Sequence, residues 1–136
     1  EVVLPKSGDV VVGAVVGIRE DVAFIEIIGY EFSKLFKHTF QAILHISQIS
    51  DSRANDIYEH IKLGDLVKAK VLNDYIPFLV TIKEPRLGVI LANCSKCGAP
   101  MYYESDKLVC SECGNTERRK LSLDYVLVKG KKNARK

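Results

Sequence analysis

Four cysteines in two pairs, Cys94-x2-Cys97 and Cys110-x2-Cys113, constrain this chain more than any other feature, and a glycine follows each pair at Gly98 and Gly114. Two thiolates on one tight turn can grip one ion, the glycine lets that turn adopt positive φ, and a second such knuckle completes a tetrahedron. Between the pairs, Met101, Tyr102 and Tyr103 precede polar Ser105 and Asp106, and Leu108 and Val109 follow, the pattern of a short hairpin. The stretch Cys94 to Gly114 therefore reads as a zinc ribbon closed around one structural Zn2+. Iron in a tetrathiolate is the alternative, because ligand type does not separate the two metals. A pair of disulfides would suit a secreted chain, and nothing here marks one. Four thiolates leave no open position for water or substrate, so the expected work of the ion is to fold a segment too short to build its own core.

The cysteines occupy the last third of the 136 residues and divide the chain. Apolar content of 47% is ordinary for a globular protein, and no run of roughly eighteen apolar residues exists to cross a bilayer as a helix, so no membrane partner is expected. Net charge is only +3 and unevenly placed, since residues 129–136 hold five basic residues and no acidic one. That tail is expected to be disordered. The opening EVVLPKSGD shows neither an initiator Met nor a signal-peptide pattern, and residues 1–8 are read as a linker from a domain preceding this piece.

Residues 9–84 carry the alternation of a small all-β barrel. DVVVGAVVGI, Asp9 to Ile18, is a β-branched run broken by Gly13 and Gly17, and glycines in such a run permit the coiling a closed barrel needs. After a turn at Arg19, Glu20 and Asp21, Val22 to Ile28 puts Ala23, Ile25 and Ile27 on one face and Phe24 beside Glu26 on the other. Burying Phe24 there would desolvate a carboxylate, so the ring is expected at the surface. Gly29 to Gln41 interleaves Phe32, Phe36 and Phe40 with Lys34, Lys37 and His38. It reads either as a stacking and phosphate-binding loop or as a helical turn over the barrel end, with Phe32 and Phe36 on one face. Ala42 to Ser50 makes a third strand with Ile43 and His45 opposite Leu44 and Ile46, Asp51 to His60 a short helical crossover, Leu63 to Tyr75 a fourth strand, and Phe78 to Pro85 a fifth. Five strands with a helical turn after the third describe an OB-type barrel. Lys68 and Lys70 alternate outward from the fourth strand and are candidates for channelling phosphates. Glu84 to Gly88 has linker character, and the ribbon is expected over 89–128, closed by a strand alternating Leu123, Tyr125 and Leu127. On that division, Cys110→Ser unfolds the ribbon and leaves the barrel intact.

At Ala42-Ile43-Leu44-His45-Ile46-Ser47, flanked by SGDVVVGAVVGI before and KLGDLVKAKV after, the sequence resembles the S1 RNA-binding domain over roughly Ser7 to Lys83. An S1 barrel followed directly by a four-cysteine ribbon resembles the archaeal exosome cap subunit of the S1 and zinc-ribbon type. The resemblance implies a non-catalytic subunit that guides single-stranded RNA into a ring of RNase PH-like subunits degrading it from the 3′ end, and that works in the cytoplasm. It also implies a related S1/KH-type cap subunit and a primase-like protein as partners. The family's binding face maps onto Phe24, His45 and Asp74. Its first aromatic falls on Asp21, and Ile76, Pro77 and Phe78 stand where a basic residue is usual. Losing one stacking platform and one cation predicts weak RNA binding by the isolated domain.

No Ser/His/Asp or Cys/His arrangement remains once the thiols are committed to metal, so no enzyme is expected. The alternative reading is a protein-interaction module of transcription or translation machinery, in which barrel and ribbon both bind protein.

Overall fold

A computed structural model describes residues 4–49 and 57–128. Period-two alternation decides which side chains enter the barrel. In β1 (Val10–Arg19), β2 (Val22–Glu31) and β3 (Lys34–His45), Val11, Val15, Ala23, Ile25, Ile27, Ala42 and Leu44 are buried, while Phe24 and Glu26 face outward. β4 (Leu66–Val71) buries Val67, Ala69 and Val71, and β5 (Phe78–Thr81) buries Phe78 and Val80. The strands pair in the order β1-β2-β3-β5-β4, and β1 pairs again with β4 to close the barrel. The β3–β5 pairing is parallel, with Ala42 opposite Phe78. One strand serves two neighbours because β1 coils, with register shifts at Val12/Gly13 and Val15/Gly17. At Gly13 a Cβ would stand 2.6 Å from Ile25 Cγ2 and 2.9 Å from the Glu26 carbonyl oxygen, so the glycine is required for β1 and β2 to approach.

Several sequence expectations are corrected. Residues 29–41 form neither a long loop nor a helical turn: β2 runs on to Glu31, the chain turns at Phe32 and Ser33, and β3 returns from Lys34. A spacing of four satisfies a strand as well as a helix, and cross-strand packing chose the strand. Phe36 meets Tyr30 at 4.9 Å and Phe40 at 5.5 Å between ring centroids, and Phe40 meets Phe78 at 6.1 Å, all edge to face. The third strand stops at His45, and Ile46–Gln48 form a 3-10 turn. The fourth strand spans six residues rather than Leu63 to Tyr75. Most of the expected crossover lies outside the described residues, as does the basic tail, and Ile57–Glu59 form a second 3-10 turn.

β6 (Gly88–Leu91), expected within the ribbon, pairs with β4 of the barrel through Leu66 and Leu91, Val67 and Val89, and Lys68 and Gly88. β1 occupies one edge of β4, so β5 and β6 share the other. The segment before β6 is therefore no free linker. Leu87 is buried, Leu123 N donates to the Pro85 carbonyl at 2.9 Å, and Lys120 Nζ donates to the carbonyls of Glu84 at 3.1 Å and Leu87 at 2.9 Å. Gly88 sits at φ 132°, where any Cβ would strike the Lys120 carbonyl.

The ribbon sheet runs β7 (Met101–Glu104), β8 (Lys107–Cys110), β9 (Thr116–Glu117). Ser105 and Asp106 turn the hairpin with φ of 54° and 66°, the two-residue I′ geometry. Leu121 to Val128 makes isolated bridges from Leu121 to Val89 and from Val128 to Tyr103 instead of a closing strand. Tyr125 anchors it, donating its hydroxyl to the Met101 carbonyl at 2.8 Å and accepting the Ala92 N–H at 3.0 Å. Through Tyr125, Met101 and Leu108 one buried cluster continues from barrel to ribbon.

Candidate nucleic-acid interface and metal centre

The registers of β1, β2 and β3 line up outward side chains in rows. Arg19, Val22 and His45 form one row, Gly17, Phe24 and Ile43 the next, and Glu26 and Gln41 a third. Phe24 remains 38% exposed because its neighbour Gly17 has no side chain; a Cβ there would touch the ring at 3.4 Å. Val16, Glu26, Gln41, Ile43 and Pro77 complete a groove of about 350 Å³ around the ring. The Glu26 carboxylate is satisfied by the Thr39 hydroxyl at 2.6 Å. His45 is exposed, and its Nδ1 accepts the Ser47 N–H at 3.1 Å. An Nδ1 that accepts leaves the ring proton of the neutral imidazole on Nε2, so His45 both caps the 3-10 turn and offers a donor on the Phe24 face.

Four of the expected site residues are taken up by other groups. Asp74 Oδ1 accepts the Ser7 N–H at 2.7 Å, which ties the β4–β5 loop to the segment before β1. Lys68 pairs with Asp124 at 2.7 Å and Lys70 with Glu84 at 2.5 Å. The groove holding Lys68, Glu84 and Asp124 shares no residue with the Phe24 groove. Lys34 pairs with Glu31 at 3.5 Å at the hairpin end. Lys37 is exposed on β3, in the stretch between Leu35 and Phe40 where the pairing with β2 shifts register. Sequence reasoning missed Arg19 by assigning it to a turn. Carrying the β1 alternation two residues past Gly17 would have placed it in the His45 row.

The four thiols converge as the spacing predicts. Their Sγ atoms all lie within 4.8 Å of one another, with Cys94 and Cys113 at 3.6 Å and Cys97 and Cys110 at 3.3 Å. A tetrahedron with metal–sulfur bonds of about 2.3 Å has sulfurs roughly 3.8 Å apart, so the residues fit a single closed ion. Gly98 and Gly114 adopt φ of 84° and 79°, and their N–H groups donate to the carbonyls of Cys94 at 2.8 Å and Cys110 at 3.0 Å. Burial opposes ionisation of Cys94, but the Cys97 N–H, the Asn115 amide and the Lys96 N–H outweigh it and bring the thiol to about 6. At Cys97 the Ala99 N–H favours the thiolate, yet the hydrogen bond to Cys110 and burial hold the group at about 12. Four soft donors exclude hard cations such as Mg2+ and suit zinc or iron.

A buried ion cluster joins this centre to the barrel. Arg119, whose side chain is 1% exposed, donates from Nε to Asp65 Oδ2 at 2.8 Å and reaches Glu117 Oε1 with Nη1 at 2.7 Å. Glu117 Oε2 accepts from the Ser95 N–H at 3.0 Å and from Asn115 Nδ2 at 2.7 Å, and that amide also lies 3.4 Å from Cys94 Sγ. Asp65 accepts the Lys62 N–H at 2.9 Å. The knuckle is thus fastened to Asp65, the residue just before β4.

Residues 4–73 match the family model of the S1 RNA binding domain. The chain is 37% identical over 120 residues to the exosome complex component Csl4 of Archaeoglobus fulgidus, covering 88% of this chain and 66% of that one. It is 30% identical over 122 residues to the exosome complex component csl4 of Schizosaccharomyces pombe, covering 87% of this chain and 67% of that one. The chain belongs to the Csl4 family. It spans about two thirds of the length of these Csl4 relatives. A crystal structure of a candidate exosome complex RNA-binding protein has the same fold over 69% of this chain and 52% of its own, with a TM-score of 0.53 at 25% identity.

Within this Csl4-family chain the ion cluster predicts an acid response. Burial acts against the charge of Glu117, but the Ser95 hydroxyl and N–H and the Arg119 guanidinium outweigh it and hold the group at about 2, below its ordinary 4.5. A depressed carboxylate stabilises the fold fully above its unfolded value and loses that contribution as pH falls through the folded one. Burial pushes Asp65 upward, with Arg119 opposing, so Asp65 contributes with the opposite sign. The stability difference between wild type and Glu117→Gln, read from urea midpoints, is therefore expected to shrink between about pH 5 and pH 2. A constant difference across that range would contradict the assignment.

Proposed function

We propose that this chain is a non-catalytic RNA-binding cap subunit of an exosome, whose S1 face guides single-stranded RNA toward a separate 3′-to-5′ exoribonuclease ring of RNase PH-like subunits. The observation that carries the reading is the exposure of Phe24 and His45 on one face, with Arg19 in the same row as His45. An aromatic plane accepts a base, an imidazole donor accepts a base edge or phosphate, and cations track the backbone. The family relationship supports the exosome as the setting. In this reading Cys94, Cys97, Cys110 and Cys113 hold one Zn2+, which closes the ribbon structurally. The ribbon then serves as a rigid docking module, with an S1/KH-type cap subunit and a primase-like protein among the partners, in the cytoplasm. Phe24→Ala is expected to weaken binding to poly(A) at low salt by roughly five- to a hundredfold, the worth of one stacked base. Fluorescence anisotropy reads this directly, and unchanged affinity in a folded variant removes the S1 face from the reading.

A protein-binding role for the same barrel is favoured by the exposed Val16, Tyr75, Ile76 and Leu79. Apolar side chains in such number suit a protein partner as well as a base. Absence of any poly(A) binding at low salt would select that role.

A further inference from the structure

Between ribbon and barrel lies a groove of about 880 Å³ that neither the Phe24 face nor the thiol centre uses. Lys96 of the first knuckle, Lys107 of β8 and Arg118 after β9 line it from the ribbon, and Tyr58, His60 and Lys62 line it from the barrel. Among the described residues two carboxylates also line it, and both are engaged. Asp106 accepts the Tyr103 hydroxyl at 2.9 Å, and Glu117 is committed to Arg119, Ser95 and Asn115. Arg119 in turn is taken up by Asp65 and Glu117. Lys62, Lys96, Lys107 and Arg118 are left with no carboxylate at ion-pair distance among the described residues. Four cations from four separate stretches of chain thus share one concave surface, an arrangement whose mutual repulsion a polyanion relieves.

We propose that this groove binds the phosphate backbone of single-stranded RNA, as a second contact separate from the S1 face. The lining favours RNA over an acidic protein. A protein interface is anchored by large apolar side chains in desolvated pockets, and here Tyr58 is the one large aromatic among the described lining residues, its neighbours being polar or charged. A ring beside unpaired cations is what an unstacked strand needs. The choice of RNA as the polyanion rests on the function proposed above, whereas the cationic groove does not.

The test uses the metal-loaded chain and a labelled oligo(A), with affinity measured across salt concentrations for wild type, Phe24→Ala, and the triple variant Lys96→Ala, Lys107→Ala, Arg118→Ala. The triple variant is expected to bind at least about tenfold more weakly at low salt. Its plot of log K against log salt should be shallower by about 2, since each phosphate contact on a single strand contributes about 0.7. Wild-type affinity and slope in the triple variant overturn the proposal, and if Phe24→Ala still loses binding the S1 reading survives alone. Loss in the triple variant with none in Phe24→Ala keeps the groove and removes the S1 face. Polyglutamate that binds the wild type more tightly than oligo(A), and is lost in the triple variant, reassigns the groove to an acidic protein and overturns the RNA proposal. If the variant does not fold, acetylation footprinting of wild type decides: protection of Lys96 and Lys107 by oligo(A) supports the proposal, and equal labelling with and without RNA refutes it.

Discussion

Removing the ion from the thiol centre, by chelation or by Cys110→Ser, is expected to unfold the ribbon and to loosen the barrel with it. Wild type should carry one metal per chain and the variant close to none by elemental analysis. Structural zinc contributes about 10–16 kcal/mol of apparent free energy in zinc-finger peptides, which is comparable with the whole stability of a domain. Beyond β6 the described part of the ribbon has only Ala92, Cys94, Met101, Leu108, Cys110 and Tyr125 as buried apolar groups, too few to hold without the ion. The loss reaches the barrel because β6 pairs with β4, and because Arg119 is set by Glu117, which is itself held by Ser95 and Asn115 of the two knuckles. Amide hydrogen exchange separates the outcomes. Faster exchange at Val67 and Ala69 as well as at Leu108 after chelation is the expected result. Unchanged protection in β4 would restore the independent ribbon that the sequence alone suggested.

Arg119→Met is expected to cost about 3–5 kcal/mol in urea or guanidinium unfolding, since it leaves Asp65 and Glu117 as carboxylates facing each other in a buried site without their counter-charge. A loss of that size lowers the melting temperature on the order of 10 °C. Arg119→Lys should recover little, because the site uses Nε and Nη1 toward two different carboxylates, and an ammonium presents a single point of charge. Adding Asp65→Asn and Glu117→Gln to Arg119→Met should regain part of the loss by removing the uncompensated charges. An Arg119→Met chain as stable as wild type would mean that the cluster contributes nothing net.

Much of the candidate site was legible in the order of residues. The two Cys-x2-Cys turns and their glycines named the four thiols that converge, because a knuckle is closed by atoms four positions apart, within reach of local spacing. Alternation put Ala23, Ile25 and Ile27 on one face with Phe24 on the other, and set His45 opposite Leu44 and Ile46, because the pleat repeats every second residue whatever lies opposite. Local spacing was ambiguous at Phe36 and Phe40, where an interval of four suits both a helix and a strand, and the rings of Tyr30 and Phe78 settled it.

What the sequence determined by itself was therefore the side that most barrel residues face and the four thiols that come together. Only the tertiary structure decided which outward lysines are neutralised and which remain available. Lys68 meets Asp124 across 56 positions and Arg119 meets Asp65 across 54, and no periodicity in the chain encodes a partner at that distance. Charge pairing depends on a separation of a few ångströms in space, and it is the closing of β1 onto β4 and the docking of β6 that bring such groups together.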